Sequence, residues 1–262
     1  MRIILAFFLL FQINGFSQKL EQLSIKPVHP GDFIGYDALG FGYFVGNNTL
    51  SKITDGESVQ YQNLSFGRMG RVDLVNPLNI VVHYPDFNAV VMLDNQLNEI
   101  RTISFSDATN NNFTNIIVSG TGNASQNRLW IYDNLTQQLG LYSYLSNDFK
   151  FLTQPLPGAI TYYETDFNKF RWINDQRQWF VCDIYGKISL IGTVPAFDAI
   201  RFVSESVIVY SAGPNLFLYN VGNGKSEQIT LAEKSIKSFH YNGQIFSIFT
   251  ADGIMNYKLI TP

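Results

Sequence analysis

Residues 80–94 read Ile80-Val81-Val82-His83-Tyr84-Pro85-Asp86-Phe87-Asn88-Ala89-Val90-Val91-Met92-Leu93-Asp94. Two short runs rich in β-branched residues flank a segment holding Pro, Asp and Asn, the residue types that turn a chain. This is the pattern of two antiparallel strands joined by a connection.

The same unit recurs on both sides of it. Upstream stands Tyr43-Phe44-Val45 followed by Leu50-Ser51-Lys52-Ile53. Downstream come Leu129-Trp130-Ile131-Tyr132 with Gln138-Leu139-Gly140-Leu141-Tyr142, then Trp179-Phe180-Val181-Cys182 with Lys187-Ile188-Ser189-Leu190. Val207-Ile208-Val209-Tyr210 with Leu216-Phe217-Leu218-Tyr219, and Ile245-Phe246-Ser247-Ile248 with Ile254-Met255-Asn256-Tyr257, complete six copies. Anchored on Phe44, Val82, Ile131, Val181, Val209 and Phe246, the unit repeats on average every ~40 residues at uneven intervals, the length of one four-stranded propeller blade. A blade has two apolar faces that it cannot bury alone, and stacking it between neighbours in a ring covers both. The expectation is an all-β chain forming a six-bladed β-propeller of four-stranded antiparallel blades, ahead of a large barrel or double sandwich. Leu20 to Val28 is expected to pair with the last blade, whose final strand ends near Ile260.

Composition agrees and excludes several classes. The chain has 262 residues, 46% hydrophobic and 15% aromatic, with 15% charged, which does not describe a disordered chain. Eighteen Lys+Arg against 21 Asp+Glu leave no basic patch for nucleic acid. One Cys forbids an intrachain disulfide.

Met1-Arg2, the uncharged run Ile3 to Phe11, and small residues at Gly15 and Ser17 have the order of a signal peptide. The run is shorter than the roughly 20 residues that span a bilayer. Residues 1–17 are therefore expected to be removed before Gln18, leaving 18–262 as one propeller domain. A mature N-terminal Gln resembles exported proteins of the Bacteroidota. No Cys follows the run, which argues against lipoprotein processing. The expected location is the periplasm, peripheral to the outer membrane and not inserted in it, with secretion as the alternative.

From Phe66-Gly67-Arg68-Met69-Gly70-Arg71 to Asp94 the chain resembles an NHL or YWTD-type blade; elsewhere only the strand spacing does. No Trp-Asp dipeptide, kelch-type double Gly or Ser-x-Asp-x-Gly-x-Thr-Trp box occurs. By compartment and fold the chain is also similar to accessory subunits of Bacteroidota outer-membrane machines, including the type 9 secretion channel. That resemblance implies a non-enzymatic plug, adaptor or scaffold whose partner is an outer-membrane protein complex.

Catalytic chemistry is not evident. His29, His83 and His240 fall in different blades without ligand spacing. Cys182, in an apolar strand, reads as a small buried hydrophobe. Gly120-Thr121-Gly122-Asn123-Ala124-Ser125 lacks the third Gly of a dinucleotide loop and reads as a turn. Asp94, Asp133 and Asp183 each follow an apolar run, but Asp133 and Asp183 are read at one turn of the repeat and Asp94 at another, so turn formation is the expected role and no metal or cofactor is assigned. A propeller enzyme or carbohydrate-binding module with a central carboxylate or metal site is the rival reading. Carboxylates from three blades converging at the axis would favour it.

In a blade with strands A to D running outward, the B–C and D–A connections emerge at one end. The aromatics and arginines expected there are Arg68, Arg71, Tyr84, Phe87, Phe113, Tyr162, Tyr163 and Phe167, residue types enriched in binding hot spots. They form the candidate interface. Phe170, Trp172 and Trp179 are expected in the blade core, and Arg171 and Arg177 at the surface.

Overall fold

The structure, a computed structural model, describes residues 20–54, 57–106, 115–231, 236–243 and 245–259. The expected signal peptide and Phe113 lie outside the described residues. Among the described residues no helix is long and apolar enough to cross a membrane.

The chain begins with β1 (Leu20–Lys26), then forms the first blade from β2 (Asp32–Tyr36), β3 (Gly42–Gly46), β4 (Thr49–Ile53) and β5 (Ser58–Tyr61). The second blade has β6 (Arg71–Asp73), β7 (Ile80–Tyr84), β8 (Ala89–Leu93) and β9 (Glu99–Ser104). The third has β10 (Val118–Ala124), β11 (Arg128–Asp133), β12 (Gln138–Ser143) and β13 (Asp148–Phe151). The fourth has β14 (Ile160–Thr165), β15 (Lys169–Asn174), β16 (Gln178–Asp183) and β17 (Ile188–Thr193). The fifth has β18 (Ala199–Phe202), β19 (Val207–Ala212), β20 (Asn215–Asn220) and β21 (Lys225–Ile229). The sixth has β22 (Ser238–Tyr241), β23 (Ile245–Phe249) and β24 (Ile254–Leu259), and takes β1 as its outer strand. Each sheet is a four-stranded antiparallel meander, and the molecule is a six-bladed β-propeller.

The ring closes as the sequence suggests. β1 pairs with β24 from Leu20↔Leu259 to Lys26↔Ile254. Six apolar clusters fill the spaces between neighbouring blades among the described residues, the last of them packing Phe33, Tyr36 and Phe44 of the first blade on Phe249 and Ile254 of the sixth. Because both faces of a middle strand are covered, β7 and β8 are buried at every position. Trp130, Trp172 and Trp179 are fully buried, as is Cys182, whose thiol burial pushes up to about 12.

Two expectations on strand phase are corrected. Val181 lies on β16, the third strand of its blade, whereas the other five anchors lie on second strands. Its true counterpart is Trp172 on β15, and with Trp172 in its place the intervals become far more even. Asp183 therefore closes a third strand, as Asp94 follows one, while Asp133 ends a second. Gly120 to Ala124 is no turn but part of β10, the innermost strand of the third blade.

Candidate functional site

At the B–C and D–A end, two asparagines join neighbouring blades. Asn47 and Asn48 both take positive φ, as a two-residue hairpin between β3 and β4 requires. Asn48 then uses its amide on the next blade's loop, Nδ2 donating to Gly67 O (2.8 Å) and Oδ1 accepting from Met69 N (2.7 Å). Asn88, also at positive φ, repeats this with Ile116 O (2.6 Å) and Val118 N (2.9 Å).

The Asn48 clamp holds the loop of Arg68 beside the short 3-10 turn Pro85–Phe87, where Arg68 N donates to Asp86 Oδ2 at 2.9 Å. Phe87 stands 56% exposed there. Tyr84 does not: it ends β7, is 0% exposed and packs under Phe66 in the apolar cluster between the first two blades. Phe167 lies in the turn between β14 and β15, at the opposite end of the disc. Tyr162 and Tyr163 are part of β14 and Arg71 begins β6; Tyr162 and Arg71 line the central channel, whereas Tyr163 packs against the cluster between the third and fourth blades, its hydroxyl accepting Thr121 N. Of the candidate interface, the structure keeps Arg68 and Phe87 together. Exposed Leu64, Ile117 and Leu135, aliphatic and so without an aromatic signal in the sequence, occupy the loops beside them.

The channel holds a cavity of about 710 Å³. Its walls come from the inner strands of five blades, β2, β6, β14, β18 and β22. The inner strand of the third blade is screened from it because side chains of the second and fourth blades meet in front of β10. The Arg71 guanidinium lies 4.0 Å from the centre of the Tyr163 ring, which in turn stacks on Phe170. Thr165 Oγ1 donates to Asp73 Oδ2 at 3.2 Å. Strand alternation explains the arrangement. Tyr163 and Thr165 face β10, while Tyr162 and Glu164 turn to β18, where Arg201 Nη1 donates to Tyr162 Oη at 2.9 Å. The Tyr162 hydroxyl donates to Glu164 Oε1.

Electrostatically the cavity is crowded. Asp73 accepts Val75 N (2.7 Å) and Asn123 N (2.6 Å) besides Thr165. Burial nonetheless pushes the Asp73 and Glu164 carboxyls above the usual carboxylate range. His240 is driven down to about 3 by burial and then by the Arg201 charge, and is neutral. At one mouth Arg171 pairs with Asp166 (2.7 Å) and Glu205 (3.7 Å), and Lys169 with Glu205 (2.7 Å), so Arg171 is a channel residue rather than an outer-surface one.

Carboxylates from three blades thus line the cavity, yet no three His, Cys, Asp or Glu among the described residues are placed to share one ion. Asp94 and Asp183 bond the backbone of their own turns: Asp94 Oδ1 accepts Gln96 N and Asn98 N, and Asp183 Oδ1 accepts Tyr185 N and Lys187 N in the same spacing. Asp133 takes Ile117 N and Leu135 N on Oδ1.

His83, 5% exposed and paired across the ladder with Arg71, is pushed down to about 4, mainly by burial. The unfolded chain takes up this proton near the ordinary value of 6.5, before the folded chain does. Stability from this site is complete above pH 6.5 and is lost as pH falls toward 4, at about 1.4 kcal/mol per pH unit. Urea unfolding at pH 7 and pH 5 should show a loss in the wild type roughly 2 kcal/mol larger than in His83→Gln. Equal losses in both would remove His83 from the account.

No protein-family model matches the chain, and no curated protein does. Solved structures do. A virginiamycin B lyase from Staphylococcus aureus superimposes with a TM-score of 0.55 at 14% identity, covering 87% of this chain and 79% of that one. The β-propeller domain of Myceliophteria thermophila Cps50 (Swd1) gives 0.59 at 8% identity, covering 92% and 100%. The WD40 β-propeller domain of Doa1 gives 0.57 at 12%, covering 92% and 96%. What this chain has in common with them is the β-propeller fold.

Proposed function

We propose that this chain is an exported, non-enzymatic propeller that binds a protein partner as a plug, adaptor or scaffold of an outer-membrane complex, the type 9 secretion translocon being the nearest analogy. The observation that carries the binding role is an apolar rim of exposed side chains, Leu64, Phe87, Ile117 and Leu135, on neighbouring loops at one end of the first three blades, with exposed Arg68 among them. Hydrogen bonds tie these loops together: Arg68 N donates to Asp86 Oδ2, Asn88 Nδ2 to Ile116 O, and Asn134 N to Ile117 O. Contiguous exposed apolar surface on a folded domain marks an interaction site. The opposite end also exposes Leu39, Leu78, Leu145, Phe167 and Tyr185, spread over four blades. Export and the outer-membrane setting rest on the order of residues 1–18 and on the resemblance in compartment and fold.

The test is affinity isolation of the tagged chain from gently solubilised envelopes at native expression and low salt. Leu64→Ser with Phe87→Ser should cut recovery of the co-purifying partner by about tenfold or more, the effect of losing a hot-spot residue. Its melting temperature should stay within about 2 °C of wild type, since both side chains are exposed. Phe167→Ser with Tyr185→Ser, at the other end, should recover the partner normally. Isolation of the wild type only as a lone monomer would overturn the subunit reading.

A further inference from the structure

Among the described residues Arg71 is a buried cation with an unsatisfied donor. Its Nε is sealed from solvent without a hydrogen-bond partner, and among the described residues no carboxylate lies within the 4.0 Å of an ion pair. What the protein gives it is the face of Tyr163, which orients the guanidinium plane without taking up its donors. Arg201, across the channel, commits only Nη1, to Tyr162 Oη and Ile200 O. It too has no carboxylate in ion-pair reach among the described residues.

Asp73 and Glu164 feel these cations only through space, because they lie beyond ion-pair distance and their oxygens are engaged elsewhere. Both oxygens of Asp73 accept protein donors, and Glu164 is held by the Tyr162 hydroxyl and the Phe202 amide. Asp166 and Glu205 serve Arg171 and Lys169 at the mouth. A buried guanidinium without an acceptor is costly, and an acceptor arriving from outside would relieve that cost. The cavity, at about 710 Å³, has the volume of a small-molecule site. His240 Nδ1, also buried and unpartnered, adds a neutral hydrogen-bonding group at the same wall.

We propose that the central channel binds a small molecule through an oxyanion group, a carboxylate or a phosphate, held by Arg71 and Arg201 in front of Tyr163 and Tyr162. The planar fork of a guanidinium matches both groups with paired charge-assisted hydrogen bonds. This site is separate from the apolar rim, and it stands or falls independently of any protein partner.

The purified full chain is titrated with inorganic phosphate and, separately, with succinate, by calorimetry and by thermal melting, against sodium chloride at equal ionic strength. Saturable binding of one probe is expected, with a rise in melting temperature that grows with probe concentration. Whichever probe binds tells phosphate from carboxylate. Arg71→Met should weaken that binding at least ~10-fold, the worth of a charged hydrogen bond. Without probe it should melt no lower than wild type, because the substitution removes an unpaired buried charge. Arg201→Met provides the second reading should Arg71→Met fail to fold. Absence of saturable binding of either probe to the wild type overturns the proposal. So does wild-type affinity in both variants, or in Arg201→Met where only that variant folds.

Discussion

A chain lacking Leu20–Lys26 is expected to lose about 5 kcal/mol of unfolding free energy, from main-chain hydrogen bonds worth ~0.5–1.5 kcal/mol each along the β1–β24 ladder. That approaches the whole stability of an ordinary domain, roughly 5–15 kcal/mol. Most of β1 is exposed, so little of the effect comes from apolar burial. The damage lies in what is uncovered: β24, buried at Ile254 to Tyr257, becomes an edge strand with unpaired backbone groups. The truncated chain should therefore unfold at a much lower urea midpoint and associate at high concentration, which light scattering would detect. A midpoint equal to that of the full chain would mean that the cluster of Phe33, Phe44, Phe249 and Ile254 alone holds the ring shut.

The second large effect is steric. A Cβ added at Gly122 would overlap Thr165 Oγ1 and Asp73 Oδ2, the two groups that bond each other in front of β10. Neither can retreat freely, since Thr165 and Asp73 are buried and Asp73 also holds Asn123 N. Gly122→Ala should cost about 3 kcal/mol, combining overpacking with a broken buried hydrogen bond. Gly120→Ala, two residues away on the same face, meets nothing nearer than Tyr132 Cβ at 3.2 Å and should cost under about 1 kcal/mol. Equal midpoints for the two variants in denaturant would show that the second and fourth blades part easily.

The repeat was readable because strands buried on both faces must be almost wholly apolar, as Ile80 to Val82 and Val90 to Leu93 are. It slipped in the fourth blade because β15 carries Arg171 between Phe170 and Trp172, so that the cleaner run Trp179 to Cys182 took its place. The candidate interface was legible only in part for a related reason. Tyr84 and Phe87 are three residues apart in one connection, and whether a ring points into the disc or out of it depends on Phe66, from the preceding loop. The channel was hidden more deeply. Arg71, Glu164, Arg201 and His240 come from four blades at no common spacing, and their meeting depends on which face of each inner strand turns to the axis. One trace was present: Gly120 and Gly122 gave β10 no bulk of its own, which is what lets the side chains of two other blades close over it.

That screening of β10 also fixes how many ways a molecule can sit in the disc. Six equivalent inner strands would offer a guest six rotationally equivalent berths, and an average over all of them. Here the outside repeats six times, while Arg71, Glu164, Arg201 and His240 occur at the axis once each. A guest bound by Arg71 and Arg201 as proposed would meet a single seat, one per ring.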